Sequence, residues 1–237
     1  IVVLTAIFVV QKCSVQNPTD AATNHVVPST DVNEHLTGTN NGHMWVDLGL
    51  PSGRKWAMCN VGATSPKEYG EYFAWGEINP KETYSLSNYQ ISNSIIDHGG
   101  TLSSYFDVVT MNWGNDWRMP TKEEFEELLK ECSWNWSDNN NGYNVIGPNG
   151  ASIFLPASGY RLNKSFNEVG EIGRYWCSTT GQIESDHDEI SNFYGLSDVL
   201  CLYNPNLGNY FLKETKGSRY IYHAAIYYGF SIRGVRN

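Results

Sequence analysis

Charged residues are scarce in this chain, and the basic ones are scarcer than the acidic ones. Charged side chains make up 17% of the 237 residues, and 16 basic against 25 acidic residues give a formal net charge of -9. A protein that follows a phosphate backbone uses Lys and Arg to displace counterions, so this balance argues against nucleic-acid binding. Long, highly charged helices are not expected either.

The sequence also lacks the common catalytic and metal-binding motifs. It contains no nucleophile elbow, phosphate-binding loop, dinucleotide fingerprint or HExxH. The cysteines show neither CxxC spacing nor zinc-finger spacing to a histidine. Residues 138–142 resemble a calcium loop without its closing Glu, and the adjacent acidic side chains of 186–189 cannot all converge on one ion. We therefore predict a protein that is not an enzyme and has no metal and no cofactor.

The N-terminal stretch is apolar at first and then polar. Residues 1–10 are too few to span a bilayer, but they match the apolar core of a secretory signal. Cys13 follows and suggests lipidation, although Lys12 stands where a lipoprotein signal has a small residue. A plain signal peptide with a coincidental cysteine is the alternative. In both cases we expect an exported protein, located at the outer membrane or cell surface.

Three segments follow from this reading. Residues 1–13 are predicted to be a leader that was truncated at its start. Residues 14–42 are rich in Asn, Thr, Ser and Asp and have no apolar period, which predicts a flexible tether. Residues 43–237 then form a single folded domain. A membrane contact is expected only through a lipid on Cys13.

Bulky rings and turn residues dominate the predicted domain. The chain is 14% aromatic, with eight Trp, 15 Tyr and 22 Gly, which favours a β-rich or irregular α+β architecture. Alternating apolar residues predict hairpins and strands at 44–48 with 55–59, 143–146 with 152–155, 175–177, 199–203 with 210–213, and 228–235. Between them, residues 77–101 are expected to form a long loop.

One helix is clearly predicted, from Thr121 to about Cys132. Thr121 and Glu124 have the spacing of a capping box, and Phe125 and Leu128 begin an apolar stripe. Its clustered acidic residues are interpreted as a solvated face. A shorter helix is predicted to start after Asp107, and a helical turn at 65–68.

Four cysteines fall in the predicted domain. In an exported protein Cys59 and Cys132 form a disulfide, or they remain two buried thiols that behave as small apolar residues; the sequence leaves both open. Cys177 lies in a β-like run without a neighbouring base, which argues against a catalytic thiol.

Several Trp-centred blocks occur along the chain. They are residues 43–53, 56–63, 69–77, 115–121, 155–161, 173–179 and 228–233. In this order they resemble the Fibrobacter succinogenes major paralogous domain, a family of exported, often lipid-anchored proteins of gut bacteria of the Bacteroides type. The resemblance covers about 43–236. It implies an α+β fold: a compact, irregular C-type-lectin-like domain with short antiparallel strands and one or two helices, whose terminal strands pair.

The resemblance also implies structural roles and some limits. Trp117, Arg118 and Pro120 would hold a loop on the core, Trp176 would lie in a buried strand, and Arg233 would fix the last strand by a charge-assisted hydrogen bond. The chain departs from the family at Cys177, Gly234 and Ile226, where Ser, Pro and a polar residue are usual. Formylglycine-generating enzymes share the fold, but their cysteine pair has no counterpart here. The calcium and sugar motifs of C-type lectins are also absent.

The C-terminal part carries the candidate ligand-binding residues, because rings and amides are the mixture that recognition surfaces use. They are Tyr203, Asn206, Asn209, Tyr210, Tyr220, Tyr222, His223 and Tyr227. Strand alternation would place Tyr220 and Tyr222 on one face and His223 on the other. We expect a surface binding module for a glycan or protein ligand. The alternatives are a structural or adhesive subunit, or a formylglycine-generating-type enzyme, which requires Cys177 and Cys201 to lie together.

Overall fold

The structure is a computed structural model, and it describes residues 36–91, 100–181, 196–207 and 219–237. In these ranges the chain forms short antiparallel strands in four sheets, together with two α-helices, which is compatible with the predicted α+β class. The strands are β1 (Thr37–Asn40), β2 (His43–Asp47), β3 (Lys55–Asn60), β4 (Trp117–Arg118), β5 (Ser133–Ser137), β6 (Gly142–Ile146), β7 (Ser152–Pro156), β8 (Tyr160–Leu162), β9 (Ser165–Asn167), β10 (Ile172–Thr180), β11 (Leu196–Tyr203), β12 (Arg219–Ala225) and β13 (Arg233–Arg236). The helices are α1 (Val108–Trp113) and α2 (Lys122–Glu131), and a 3-10 turn spans Leu86–Asn88.

The largest of these sheets joins the two ends of the domain. Its strand order is β1-β2-β3-β13-β4, so the C-terminal strand β13 lies between β3 and β4. Val235 of β13 is paired with Trp56 on one side and with Arg118 on the other. The predicted β2–β3 hairpin is confirmed, and the expected pairing of early and late strands is present.

The first strand, β1, corrects the predicted boundary of the tether. Residues 37–40 were expected to be flexible, but they pair with β2 from Thr37 opposite Val46 to Asn40 opposite His43. Asn41 and Gly42 connect the two strands with φ values of 49° and 80°. Two left-handed residues form the tight hairpin turn that Asn-Gly favours, so the sequence signal lay in those two residues.

Both helices begin where the capping residues predict. The Thr121 side chain accepts from the backbone N–H of Glu124, and the Glu124 carboxylate accepts from that of Thr121. Phe125 and Leu128 are fully buried, so the predicted apolar stripe is confirmed. Asp107 caps α1 by accepting from Val109 and Thr110. The helical turn predicted at 65–68 is instead a single hydrogen-bonded turn.

The second sheet, β10-β11-β12, has apolar side chains on both faces. Trp176 and Val199 point into one core cluster, and Tyr175 and Leu200 point into the other. A strand that is buried on both faces is a continuous apolar run without alternation. This explains why β11 begins at Leu196, before the strand predicted at 199–203. The predicted partner of β11 at 210–213 lies outside the described residues. Among the described strands, β11 pairs with β10 and β12.

Trp117, Pro120 and Trp176 of the predicted structural residues are buried, and Arg118 is partly exposed. Trp117 and Trp176 have no exposed surface, and the indole of Trp176 donates to the carbonyl of Phe73 at 2.8 Å. The carbonyl of Pro120 accepts from the backbone N–H of Ser178 at 2.7 Å, which ties the loop before α2 to β10. Arg118 binds the Glu124 carboxylate through both terminal nitrogens, at 2.5 and 2.7 Å.

Arg233 is fully buried and fixes β13 from inside the core. Its guanidinium donates to the side chain of Asn60 and to the carbonyls of Ala57, Met58 and Phe154, at 2.6–2.9 Å. Burial lowers the pKa of Arg233 to about 10. The cation is therefore retained at neutral pH by oriented amide oxygens, and the predicted charge-assisted hydrogen bonding is confirmed.

The cysteines do not pair as one interpretation of the sequence suggested. Cys132 is a free thiol that follows α2 as its C-cap, so a disulfide between Cys59 and Cys132 is wrong. Burial raises the pKa of Cys132 to about 11, as expected of a thiol against apolar neighbours. Cys177 and Cys201 are also free, and they lie on opposite faces of the β10–β11 sheet.

Candidate ligand-binding surface

Strand register brings three of the predicted tyrosines together. Tyr220 of β12 lies opposite Cys201, Tyr222 lies opposite Val199, and Tyr203 ends β11 two residues beyond Cys201. Residues two apart on a strand share a face, so the three rings project from the same side of the sheet. The alternation predicted for 220–223 is therefore confirmed.

The three rings contact one another. The ring centroids of Tyr203 and Tyr220 are 6.0 Å apart with an interplanar angle of 19°, and those of Tyr220 and Tyr222 are 6.0 Å apart at 63°. The hydroxyls of Tyr203 and Tyr220 are 3.4 Å apart. Tyr220 is the most accessible of the three, with 36% of its surface exposed, and Tyr203 and Tyr222 are half-buried. Such pairs limit the side-chain motion that ligand binding would otherwise have to freeze.

Arg174 lies on the same face of the sheet as these rings and contacts one of them directly. Its Nη1 donates to the hydroxyl of Tyr222 at 2.9 Å, and its Nη2 forms an ion pair with Glu168. The guanidinium carbon also lies 4.6 Å from the ring centre of Tyr160. Burial acts to lower the pKa of Arg174, but Tyr222 and Glu168 hold it above its ordinary value. We call Tyr203, Tyr220, Tyr222, Tyr160, Arg174 and Glu168 the tyrosine patch.

Further rings continue the tyrosine patch toward the turn after β12. Tyr160 and Tyr228 have centroids 5.8 Å apart, and Tyr228 and Tyr227 have centroids 5.0 Å apart. Tyr228 also packs on the buried Phe230 at 5.9 Å. The predicted residue Tyr227 thus lies at the far end of the same series of rings, while Tyr228 is partly a core residue.

The remaining predicted residues are more scattered. Asn206 is exposed in the turn after β11, where its side chain donates to the carboxylate of Asp138 at 2.6 Å. His223 lies on the opposite face of the sheet, with Nδ1 2.8 Å from a carboxylate oxygen of the buried Asp198. Strand alternation therefore places His223 on the face opposite to the three tyrosines, as predicted, and it does not belong to the tyrosine patch. Asn209 and Tyr210 lie outside the described residues.

Sequence reasoning missed Arg174, Glu168 and Tyr160, which hold the tyrosine patch together. A signal was present, because Arg174 interrupts an apolar strand in the run Gly-Arg-Tyr-Trp-Cys. Long charged residues are almost never fully buried unless they are paired, so a charge inside a core strand predicts a partner nearby. The partner itself, Tyr222, is 48 residues away and only the strand order reveals it.

The polar groups of the tyrosine patch are few. Its polar groups are phenol hydroxyls and one ion pair, and the neighbouring Cys201 is buried with its pKa raised to about 11. In the ranges that the structure describes, no group of three or more His, Cys, Asp or Glu side chains is placed to hold a metal ion. Within the same ranges, no helix has both the length and the apolar character needed to cross a membrane.

Comparison with known proteins gives no match, since no family model, no curated protein and no solved structure is found to be similar to this chain.

Proposed function

We propose that this chain is an exported cell-surface binding module that recognises a glycan or protein ligand through the tyrosine patch. The observation that carries the proposal is the unbroken contact of Tyr203, Tyr220 and Tyr222, with Arg174 bound to the last of them. Tyrosine and arginine are enriched at binding hot spots because each offers a large flat surface together with a polar end.

The electrostatics of the tyrosine patch favour an uncharged ligand surface. Arg174 and Glu168 neutralise each other, and they are its two charged members. The chain as a whole carries a net charge of -9, which opposes the approach of acidic ligands. Nucleic acid is therefore not among the proposed ligands.

The C-type-lectin-like fold and the surface location belong to the same proposal. The pairing of β3 with the C-terminal strand β13 supports the fold, because that fold joins its terminal strands. The apolar run at 1–10 followed by Cys13 supports export with a lipid anchor. Membership of the major paralogous family rests on the resemblance of the Trp-centred blocks alone.

A structural or adhesive role is the second candidate. Among the described strands, β12 is at the edge of its sheet, with β11 on one side. An edge strand can pair with a strand from another chain and so build an assembly. The enzyme alternative has no such support, because Cys177 and Cys201 do not lie together.

A glycan array and a pull-down from host extracts, both with the purified full chain, test the proposal. Any ligand found is then titrated against Tyr220→Ala and against Met111→Ala. Met111 is 48% exposed and lies outside the tyrosine patch, so it is the control. The proposal predicts that the first substitution weakens binding and the second does not. Equal affinities of the two variants and the unmodified chain would refute it.

A further inference from the structure

A concave surface lined by residues that do not belong to the tyrosine patch lies beside the 3-10 turn at Leu86–Asn88. An open cleft of about 510 Å³ is lined by residues 76–81, by three residues of 88–91, and by Tyr105 with Phe106. Sites for small organic ligands fall mostly between about 300 and 1,000 Å³. The cleft is therefore large enough for one or two sugar rings, and the sequence had marked this stretch as a loop.

A fixed ion pair forms one wall of the cleft. The ammonium of Lys81 lies 2.6 Å from Oε2 of Glu77 and donates to Oε1 at 2.8 Å and to the carbonyl of Asn88 at 3.3 Å. The backbone N–H of Gln90 also donates to the Glu77 carboxylate, at 3.3 Å. Both charged side chains are mostly buried, with 19% and 13% exposed. The pair gives the wall no net charge, and the carboxylate keeps lone-pair capacity for a hydroxyl donor.

Aromatic residues and residues with amide side chains also line the cleft. Tyr105 is 76% exposed and therefore offers most of its ring to a ligand, and Phe106 lies beside it, half-buried. Asn79 and Gln90, whose side chains carry amides, also line the cleft. Each amide can both donate and accept a hydrogen bond, as each sugar hydroxyl can.

We infer that this cleft binds a neutral saccharide, with a ring face against Tyr105 and hydroxyls on Glu77, Asn79 and Gln90. The C–H groups on one face of a pyranose carry slight positive charge, and the face of an aromatic ring is negative. Lys81 and Glu77 compensate each other's charge, so this wall of the cleft does not strongly favour a charged sugar of either sign. The inference stands on residues outside the tyrosine patch and is independent of its function.

The test uses the full chain and a defined set of probes: glucose, galactose, mannose and N-acetylglucosamine, with glucuronic acid and glucosamine as charged comparisons. Binding is followed by saturation-transfer NMR and calorimetric titration. We expect at least one neutral sugar to bind with a millimolar dissociation constant and the charged analogues to bind more weakly. Tyr105→Ala should weaken that binding at least about tenfold, and Gln90→Ala should weaken it to a smaller extent.

The control is Met111→Ala, because this side chain is 48% exposed and does not line the cleft, and it should leave sugar affinity unchanged. Tyr220→Ala, which removes a ring from the tyrosine patch, is titrated in parallel. Absence of binding by all four neutral sugars would overturn the inference, as would stronger binding of a charged analogue. Loss of sugar binding in Tyr220→Ala with full retention in Tyr105→Ala would also overturn it. That last result would place the sugar on the tyrosine patch and leave the proposed function standing.

Discussion

Arg174 of β10 reaches past β11 and donates a hydrogen bond to the hydroxyl of Tyr222 on β12, with 2.9 Å between Nη1 and the oxygen. Alternate strands of a sheet are about 9.6 Å apart, which an extended arginine can span. Arg174 is paired with Cys201, which is paired with Tyr220, so this contact joins the two outer strands across the candidate binding face. The position of Tyr222 therefore depends on a residue that would not itself need to touch a ligand.

Replacing Arg174 should loosen both the sheet and the tyrosine patch. Arg174→Met leaves the Tyr222 hydroxyl and the Glu168 carboxylate without their partner, and we expect a loss of about 2 kcal/mol in the free energy of unfolding. Arg174→Lys keeps the charge but not the forked geometry. Its free energy of unfolding should therefore lie between those of Arg174→Met and the unmodified chain. Urea unfolding measures the series. Equal midpoints and slopes for Arg174→Met and the unmodified chain would contradict the role.

Substitutions of Arg233 test whether its fork geometry matters more than its charge. Arg233→Lys should cost at least about 3 kcal/mol of stability, because an ammonium cannot reach all four acceptors and remains buried. Arg236→Lys, on the same strand but partly exposed, is the matched control and should cost less than about 1 kcal/mol. Thermal unfolding compares them. Similar melting temperatures for the two variants would show that charge alone suffices.

The Glu124 carboxylate gives the protein a defined acid sensitivity. Burial acts to raise the pKa of Glu124. Hydrogen bonds and charge from Arg118 nevertheless hold that pKa below its ordinary value of 4.5. Because the folded pKa is depressed, the stabilisation is present above pH 4.5 and is lost as the pH falls toward the folded value. Glu124→Gln should therefore destabilise by about 2 kcal/mol at pH 7, with a difference that narrows below pH 4.5.

Denaturant unfolding of that variant at several pH values checks the sign. Glutamine can still accept from the Thr121 backbone N–H, so the capping box is retained. The variant therefore measures only the effect of removing the carboxylate charge. Glu126→Gln, on the exposed side of the same helix, is the control and should change little at any pH. A Glu124→Gln penalty that grows as the pH falls would contradict the assigned shift.

A substitution of His223 tests whether ligand binding is confined to one face of the β10–β11–β12 sheet. His223→Gln removes an imidazole paired with the buried Asp198 and should reduce stability modestly. Binding of any ligand of the tyrosine patch should change by less than about twofold, because strand alternation points the His223 side chain to the opposite face of the sheet. Calorimetric titration of the folded variant decides the point. A large loss of affinity would mean that the ligand lies on the His223 face.

Local signals in the sequence predicted the elements, and long-range pairing decided the site. Thr121 and Glu124 located α2, and alternation placed Tyr220 and Tyr222 on one face, because both depend on residues a few positions apart. Arg174 could not be joined to Tyr222 in this way, since their contact depends on which strands are neighbours. The disulfide considered for Cys132 is absent for the same reason, because amino-acid composition and cellular compartment do not determine which cysteines lie close together.

The central claim is that the face bearing Tyr203, Tyr220 and Tyr222 binds the ligand. The most direct measurement is a pair of calorimetric titrations with a ligand captured by the full chain, one of Tyr220→Ala and one of Met111→Ala. Both side chains are exposed, so both variants should fold. We predict at least about a tenfold loss of affinity, or 1.4 kcal/mol, for Tyr220→Ala and no change for Met111→Ala. Unchanged affinity in Tyr220→Ala would contradict the claim.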